Sequence, residues 1–321
     1  MLTTPAGSLA ARMQTAMAQI VVGGEQITFG LLVALFARGH ALIEGVPGTG
    51  KTLAVRAMAA LIDAQYRRVQ FTPDLMPSDL VGTTVFNPQT ATFSIRAGPL
   101  LTNVLLADEI NRTPPKTQAA LLEAMEEARI TIDGTPLTLP RPFFVCATQN
   151  PIEYEGTYPL PEAQLDRFLV KIEAGYPNDE DELRLLSRVA AGFDARTVGT
   201  APHEALTGPE EIVAVQEAVR AVHVAAPVQR YILDLTVATR SHRHLALGAS
   251  PRAGVALLGA AQAAAAIDMR AYATPDDVKS VAPLVLAHRL LLQPQAEIDG
   301  VRTAGVVEEI LSSVAVPRET A

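Results

Sequence analysis

One eight-residue run constrains the fold of this chain more than any other feature. Residues 45–52 read GVPGTGKT and match the pattern G-x-x-x-x-G-K-[S/T]. The run follows a short apolar strand pattern at residues 41–43 and opens a helical pattern at residues 52–62. A strand, such a loop and a helix together surround phosphate oxygens with backbone N–H groups and a helix N-terminus. The sequence therefore predicts an α/β fold built around a nucleotide site.

The residues of this phosphate-binding loop have separate expected tasks. The Lys51 ammonium is expected to reach the β- and γ-phosphates, and the Thr52 hydroxyl to bind Mg²⁺. A chance glycine-rich turn is the alternative, and the correct strand and helix patterns on both flanks argue against it. The predicted nucleotide-binding residues of the loop are Gly45, Pro47, Gly48, Thr49, Gly50, Lys51 and Thr52.

Two acidic residues follow the next strongly apolar strand pattern. Residues 104–107 are continuously apolar, as in a strand that is buried on both faces, and Asp108 and Glu109 come directly after them. We expect Asp108 to hold Mg²⁺ and Glu109 to act as the general base for the attacking water. The alternative is a strand that ends in two solvated acids, which the presence of the phosphate-binding loop disfavours.

A polar amide follows the third buried strand pattern. Residues 143–147 predict that strand, and Asn150 lies three residues beyond it. Its side chain is predicted to align the same water molecule. A turn residue before Pro151 is the alternative, because Asn-Pro favours turns.

The order of these patterns predicts two domains. Strands alternate with helices in the first part, which predicts a three-layer core with a parallel sheet over residues 1–175. Two hairpin-bearing insertions are expected within it, at residues 68–98 and around Asp133-Gly134 at residues 129–139. After residue 176 we predict a small all-helical lid over residues 176–321. Its helical patterns cover residues 179–189, 209–224, 228–242, 251–271, 275–291 and 304–313.

Charge and cysteine content exclude several classes of protein. The chain has 26 basic and 34 acidic residues, a net charge of −8, which disfavours a large nucleic-acid-binding surface. Cys146 is the only cysteine, so an intrachain disulfide framework and a cysteine-rich zinc site are excluded. Without a signal-peptide pattern or a membrane-spanning run, a cytoplasmic location is expected.

Several strings, the loop among them, indicate a family. Together they are similar to the MoxR family of AAA+ ATPases, over about residues 20 to 300. The strings are residues 45–52, residues 107–118 (ADEINRTPPKTQ), residues 147–151 (ATQNP), residues 160–168 (LPEAQLDRF) and residues 248–252 (GASPR).

The resemblance implies roles that spacing alone does not assign. Asn150 matches the sensor 1 position, and Arg167 matches an arginine finger given to the γ-phosphate of a neighbouring subunit. Arg252 matches sensor 2 in the lid, where it would help to bind ATP between core and lid. Residues 21–26 lie where the family holds adenine. The sequence does not decide whether Arg112 lies at a subunit interface.

The resemblance also implies an activity and partners. It implies an ATP hydrolase with ATP and Mg²⁺, assembled into a homo-oligomeric ring that is expected to be a hexamer. The work expected is chaperone-like remodelling or maturation of a client protein, with a partner that carries a von Willebrand factor A domain. A chelatase-type motor subunit for metal insertion into a tetrapyrrole is one alternative. A nucleic-acid motor is another, disfavoured because residues 130–139 contain no Lys or Arg.

Overall fold

The structure is a computed structural model that describes residues 5–150, 157–198 and 205–317. Pro151 and the outermost residues of the two predicted domains, 1–4 and 318–321, lie outside the described residues. The described strands are β1 Ala41–Gly45, β2 Tyr66–Gln70, β3 Gly82–Asn87, β4 Thr92–Ala97, β5 Val104–Asp108, β6 Arg129–Ile132, β7 Thr135–Thr138, β8 Phe144–Gln149, β9 Val170–Ala174, β10 Leu245–Leu247 and β11 Leu291–Leu292. The described helices are α1 Pro5–Ala18, α2 Glu25–Phe36, α3 Lys51–Leu61, α4 Pro77–Val81, α5 Pro115–Glu127, α6 Glu162–Leu165, α7 Asp179–Ala190, α8 Pro209–Arg220, α9 Ala226–Arg240, α10 Pro251–Ile267, α11 Pro275–Leu286, α12 Pro294–Ile298 and α13 Thr303–Ser313.

A five-stranded parallel sheet forms the centre of the first half. Its strand order is β2-β5-β8-β1-β9, and every neighbouring pair is parallel. The carboxyl ends of β1, β5 and β8 therefore meet at one edge, where Gly45, Asp108 and Gln149 end their strands. The predicted α/β class with a parallel sheet is confirmed.

Both faces of this sheet are covered, which gives the predicted three layers. Ile43 and Cys146 point to one face and pack with residues of α1, α2 and α3. Leu42 and Val145 point to the other face and pack with residues of α5 and of the β6–β7 hairpin. Since successive side chains of a strand alternate between faces, burial of both faces explains the continuous apolar runs.

The edge strand β2 was not predicted. The sequence placed residue 68 at the start of an insertion, whereas Arg68 lies within β2, the edge strand beside β5. The residues of β2 are half-buried or exposed, so β2 lacks the apolar run that marked the buried strands. The insertion begins after β2 and carries the β3–β4 hairpin.

The second predicted hairpin is confirmed. Strands β6 and β7 pair antiparallel around Asp133 and Gly134. Both residues have positive φ, +47° and +85°, as a two-residue turn of type I′ requires.

The second half is helical, as predicted, with one addition. Strands β10 and β11 form a short antiparallel ladder. The helix predicted over residues 275–291 ends at Leu286, continues as the 3₁₀-helix Ala287–Arg289, and leads into β11. Among the described ranges, none of the helices combines the length and the apolar character needed to cross a bilayer.

The alanine-rich helix α10 joins the two halves. Its buried alanines pack against α2 and α1 from the first half and against α8, α9 and α11 from the second. Small side chains allow these helices to approach closely, and the same hydrophobic core runs from the sheet into the helical half. The domain boundary near residue 176 stays a prediction.

Candidate nucleotide site

The phosphate-binding loop connects β1 to α3 in the predicted context. Gly48 and Gly50 have φ of +87° and +77°, in the left-handed region that other residues rarely adopt. Gly50 is the N-cap of α3, so the free N–H groups of the first helical turn point toward the loop. A Cβ atom on Gly48 would meet no other atom within 4 Å, so this part of the loop borders open space. The loop has the form of an anion site.

Lys51 is held by the loop itself. Its ammonium donates hydrogen bonds to the carbonyl oxygens of Gly45, at 2.6 Å, and Val46, at 2.7 Å. Thr49 Oγ1 donates a further hydrogen bond of 3.0 Å to Val46. Partial burial lowers the pKa of Lys51, and the carboxylates of Asp108 and Glu109 act in the opposite direction.

Asp108, at the carboxyl end of β5, is nearly buried and has partners on both oxygens. Its Oδ1 accepts a hydrogen bond of 2.5 Å from Thr148 Oγ1. Its Oδ2 accepts hydrogen bonds from Arg68, 2.7 Å from Nη2 and 3.1 Å from Nε. Arg68 and Thr148 come from the strands on either side of β5, so the sheet order itself assembles this cluster.

Glu109 follows Asp108 with a positive φ of +57°, which is uncommon for a residue with a side chain. Its N–H donates a hydrogen bond of 2.9 Å to Thr148 Oγ1. Its Oε2 accepts hydrogen bonds from Gln70 Nε2, at 2.5 Å, and from Arg112 Nη1, at 3.0 Å. The left-handed backbone turns the chain out of β5, and side chains from β2 and from the 3₁₀-helix Ile110–Arg112 fix the carboxylate.

Most predicted site residues line one cavity. Its lining contains nine of them, namely Pro47, Gly48, Thr49, Gly50, Lys51, Thr52, Asp108, Glu109 and Asn150. We call it the P-loop cavity. Gly45 lies behind it, packed against Ala174 of β9.

The P-loop cavity also has an apolar side. Val21 and Val22 line it and lie within residues 21–26, the segment that the sequence associated with adenine. Sequence reasoning missed the apolar residues Ile20, Pro177 and Leu185. No local motif marks them, because any apolar side chain can cover a purine ring.

Arg167 and Arg252 lie outside the P-loop cavity. Both line a second cavity, which we call the arginine cavity, together with Glu126 and Asp166. Arg167 Nη2 lies 3.0 Å from Glu126 Oε2, and Arg252 Nη1 lies 3.6 Å from Glu126 Oε1. The expectation that Arg252 meets nucleotide between its own core and lid does not fit this placement. The reason is the packing of α10 on α1 and α2, which carries Arg252 to the end of α5 instead of to the loop.

The donors in the P-loop cavity fit magnesium bound together with phosphates. Mg²⁺ prefers oxygen ligands and is commonly held by one or two protein groups, phosphate oxygens and water. The Thr52 hydroxyl and the Asp108 carboxylate supply such oxygens. Within the described ranges there is no cluster of three or more His, Cys, Asp or Glu side chains that could form an all-protein cage.

The sheet order, the phosphate-binding loop after β1, the acidic pair after β5 and the helical second half define an AAA+ ATPase. The family model described as "ATPase family associated with various cellular activities (AAA)" matches residues 40–170. The model of the AAA lid domain matches residues 237–310.

Similarity to individual proteins shows which family of AAA+ ATPases the chain belongs to. The chain is 48% identical to the uncharacterized protein YeaC of Bacillus subtilis, over 93% of this chain and 92% of that protein. It is 41% identical to Chaperone MoxR1 of Mycobacterium tuberculosis, over 94% and 81% of the two chains. A crystal structure from Cytophaga hutchinsonii, of a protein assigned as an ATPase, superposes with a TM-score of 0.88 at 38% identity, covering 98% and 96% of the two chains. The chain belongs to the MoxR family of AAA+ ATPases.

Proposed function

We propose that this protein hydrolyses ATP in the P-loop cavity, with Mg²⁺, to drive the remodelling or maturation of a client protein. The observation that carries the proposal is the convergence of Lys51, Thr52, Asp108, Glu109 and Asn150 on one cavity at the carboxyl edge of the sheet. Phosphoryl transfer needs these groups together: a cation, metal ligands, a base and a water-orienting amide.

The P-loop cavity has a side lined by the phosphate-binding loop and an apolar side, and each binds a different part of the nucleotide. The N–H groups of the loop and of the first turn of α3 bind phosphate oxygens. The Lys51 ammonium exchanges its carbonyl partners for the β- and γ-phosphates, and Val21 and Leu185 cover the base. Mg²⁺, which Thr52 and Asp108 would hold, supplies positive charge against the phosphates.

The hydrolytic step uses Glu109 and Asn150. The Glu109 carboxylate accepts a proton from a water molecule while the water oxygen bonds to the γ-phosphorus and the bond to the β–γ bridging oxygen breaks. The Asn150 amide orients that water. Gln70 and Arg112 hold the Glu109 carboxylate by hydrogen bonds. The position of this carboxylate therefore depends on β2, which carries Gln70, and on the 3₁₀-helix Ile110–Arg112.

The positions of Arg167 and Arg252 are the argument for catalysis that two subunits share. Both lie in the arginine cavity, away from the phosphates of their own chain. We propose that both cations face the γ-phosphate of a neighbouring subunit. A contact that joins the P-loop cavity of one chain to the arginine cavity of the next is head-to-tail, and such contacts form a ring when the rotation between neighbouring subunits closes. We propose a homo-oligomeric ring, a hexamer, in the cytoplasm.

The client work is proposed from relatives. Chaperone MoxR1 bears a chaperone name, and we extend that role to this chain. A partner that carries a von Willebrand factor A domain is proposed from the family resemblance of the sequence alone. The net charge of −8 favours a protein client over a nucleic acid.

A substitution of the base tests the chemistry. Glu109→Gln keeps the shape of the side chain and loses its basicity, so we expect ATP binding to persist and turnover to fall by on the order of 10²-fold or more. Lys51→Ala should instead weaken binding. Glu308→Gln, an exposed glutamate of α13, is the matched control and should leave turnover unchanged. Near-normal turnover of Glu109→Gln would mean that Glu109 is not the base.

A mixture of two inactive variants tests the shared site. Arg167→Ala subunits retain Glu109, and Glu109→Gln subunits retain Arg167. After random mixing, about a quarter of head-to-tail interfaces contain both intact groups, so turnover should be partly restored. If the subunits exchange and the mixture stays inactive, Arg167 does not act across the interface.

A further inference from the structure

The lid forms hydrogen bonds with the residues on both sides of Arg167. The residue responsible is Arg289, at the end of the 3₁₀-helix Ala287–Arg289, whose side chain is only 3% exposed. Its guanidinium donates hydrogen bonds to Asp166 Oδ1 at 2.6 Å, the Asp166 carbonyl at 3.1 Å, the Phe168 carbonyl at 2.7 Å, the Leu169 carbonyl at 3.1 Å and the Val285 carbonyl.

These contacts leave Arg167 itself directed into the arginine cavity while fixing its neighbours. Asp166 precedes Arg167 and Phe168 follows it, and the ring of Phe168 is fully buried. The imidazole of His288 adds a second contact from the lid, with Nε2 3.0 Å from the Phe168 carbonyl. The residues on both sides of Arg167 are therefore hydrogen-bonded to the lid.

Few other side chains could make all the hydrogen bonds of Arg289. Arginine presents five N–H donors in one plane, and here they meet several oxygens at once. Burial lowers the pKa of Arg289, and the hydrogen bond and negative charge of Asp166 oppose that effect. Releasing the guanidinium would leave a buried charge without its partner, which is strongly unfavourable. The lid and the Asp166–Leu169 backbone are expected to move as one unit.

We propose that Arg289 is a positioning residue that sets the place of Arg167 at the neighbouring subunit's ATP, and so couples the lid of one subunit to hydrolysis in the next. This inference rests on the proposed function of Arg167 across the interface. Asp166 Oδ2 also lies 3.9 Å from Arg252 Nε, so the carboxylate that Arg289 binds is close to Arg252 as well. A catalytic group displaced by about 1 Å can lose 10²-fold in rate, which makes such coupling effective.

The mixture of Arg167→Ala and Glu109→Gln subunits separates positioning from a structural role. In every complete interface of that mixture, the Glu109→Gln subunit supplies Arg167. Arg289→Lys placed in this subunit should reduce the restored turnover by about 10- to 100-fold. Arg289→Lys placed in the Arg167→Ala subunit should change it by less than about two-fold, because that subunit has no Arg167 to position.

One control and one substitute variant accompany this pair. Arg230→Lys in the Glu109→Gln subunit replaces an exposed lid arginine that pairs with Asp234, and it should leave the restored turnover unchanged. If Arg289→Lys does not fold, Asp166→Asn replaces it, because this change removes the charged partner of Arg289 while keeping the side-chain shape. The same one-sided loss is expected for Asp166→Asn.

The outcomes distinguish the two proposals. A loss only when the substitution is in the Arg167-donating subunit supports the positioning role. Equal losses in both placements, or no loss in either, overturn it and leave the shared site intact. A mixture that shows no restored turnover without any Arg289 substitution overturns the shared site itself, and with it the role of Arg289.

Discussion

Thr148 Oγ1 donates a hydrogen bond of 2.5 Å to Asp108 Oδ1, and the same oxygen accepts a hydrogen bond of 2.9 Å from the Glu109 N–H. One hydroxyl on β8 thus connects the proposed metal ligand, at the end of β5, to the backbone of the proposed base that follows it. The two strands are neighbours in the sheet, so their pairing fixes this three-residue arrangement.

Removal of that hydroxyl should impair turnover more than binding. Thr148→Val keeps the volume of the side chain but leaves the Glu109 N–H and Asp108 Oδ1 without this partner. We expect the turnover of ATP to fall by about 10- to 100-fold, because Glu109 loses its backbone anchor, with a smaller change in nucleotide affinity. Thr148→Ser retains the hydroxyl and should restore most of the turnover. Equal turnover of the Val and Ser variants would show that the hydrogen bonds of Thr148 are not needed.

The ion pair between Arg68 and Asp108 predicts a change in magnesium dependence. Arg68 places a positive charge on one oxygen of the carboxylate that would hold Mg²⁺, so we expect the two cations to compete. Arg68→Met should lower the Mg²⁺ concentration for half-maximal turnover by about two- to five-fold, since a half-exposed ion pair contributes up to about 1 kcal/mol. Arg67→Met, on the same exposed strand, is the matched control. A higher Mg²⁺ requirement would show that Arg68 assists the site instead of competing.

The phosphate-binding loop and the acidic pair could be predicted from sequence because their signals are local. A glycine pattern and two continuous apolar strands are each contained within a few residues, and parallel strands bring their carboxyl ends together. The turn at Asp133-Gly134 is local in the same way. These features needed no knowledge of the distant parts of the chain.

The partners of the acidic pair could not be predicted because they lie on an edge strand. Arg67, Arg68 and Gln70 make β2 look like part of a polar loop, and its pairing with β5 emerges only in the sheet. The contacts of Arg68 and Gln70 with the two carboxylates were hidden for that reason.

The position of the lid side chains depends on packing at long range. Arg252 was assigned to the P-loop cavity, and the packing of α10 against α1 and α2 carries it elsewhere. Arg289 binds backbone carbonyls 120 residues away, and every residue presents a carbonyl, so no motif marks the contact.

His40 makes the fold sensitive to acid. Its ring is buried, with Nδ1 accepting from the Val145 N–H at 3.0 Å and Nε2 lying 3.2 Å from the Met125 carbonyl, an arrangement that suits the neutral ring. Burial lowers the pKa of His40 to about 4 from its ordinary 6.5. The unfolded chain therefore binds more protons between these two pH values, and stability is lost as the pH falls through that window.

The size of this effect can be measured by urea unfolding. Between pH 7 and pH 5, His40 should remove about 2 kcal/mol from the free energy of unfolding. In His40→Asn that part of the pH dependence should be absent, whatever the absolute stability of the variant. An unchanged difference between the two pH values in the variant would assign the acid sensitivity to other groups.

The measurement that tests the shared site most directly is ATP turnover per chain as a function of chain concentration, with assembly followed by light scattering in the same samples. Arg167 and Arg252 lie outside the P-loop cavity of their own chain, so a single chain would lack part of the site that we propose. We predict that turnover per chain rises with concentration in parallel with assembly, and that a non-hydrolysable ATP analogue promotes assembly by binding across the interface. Full turnover by a monomer, independent of concentration, would contradict the account.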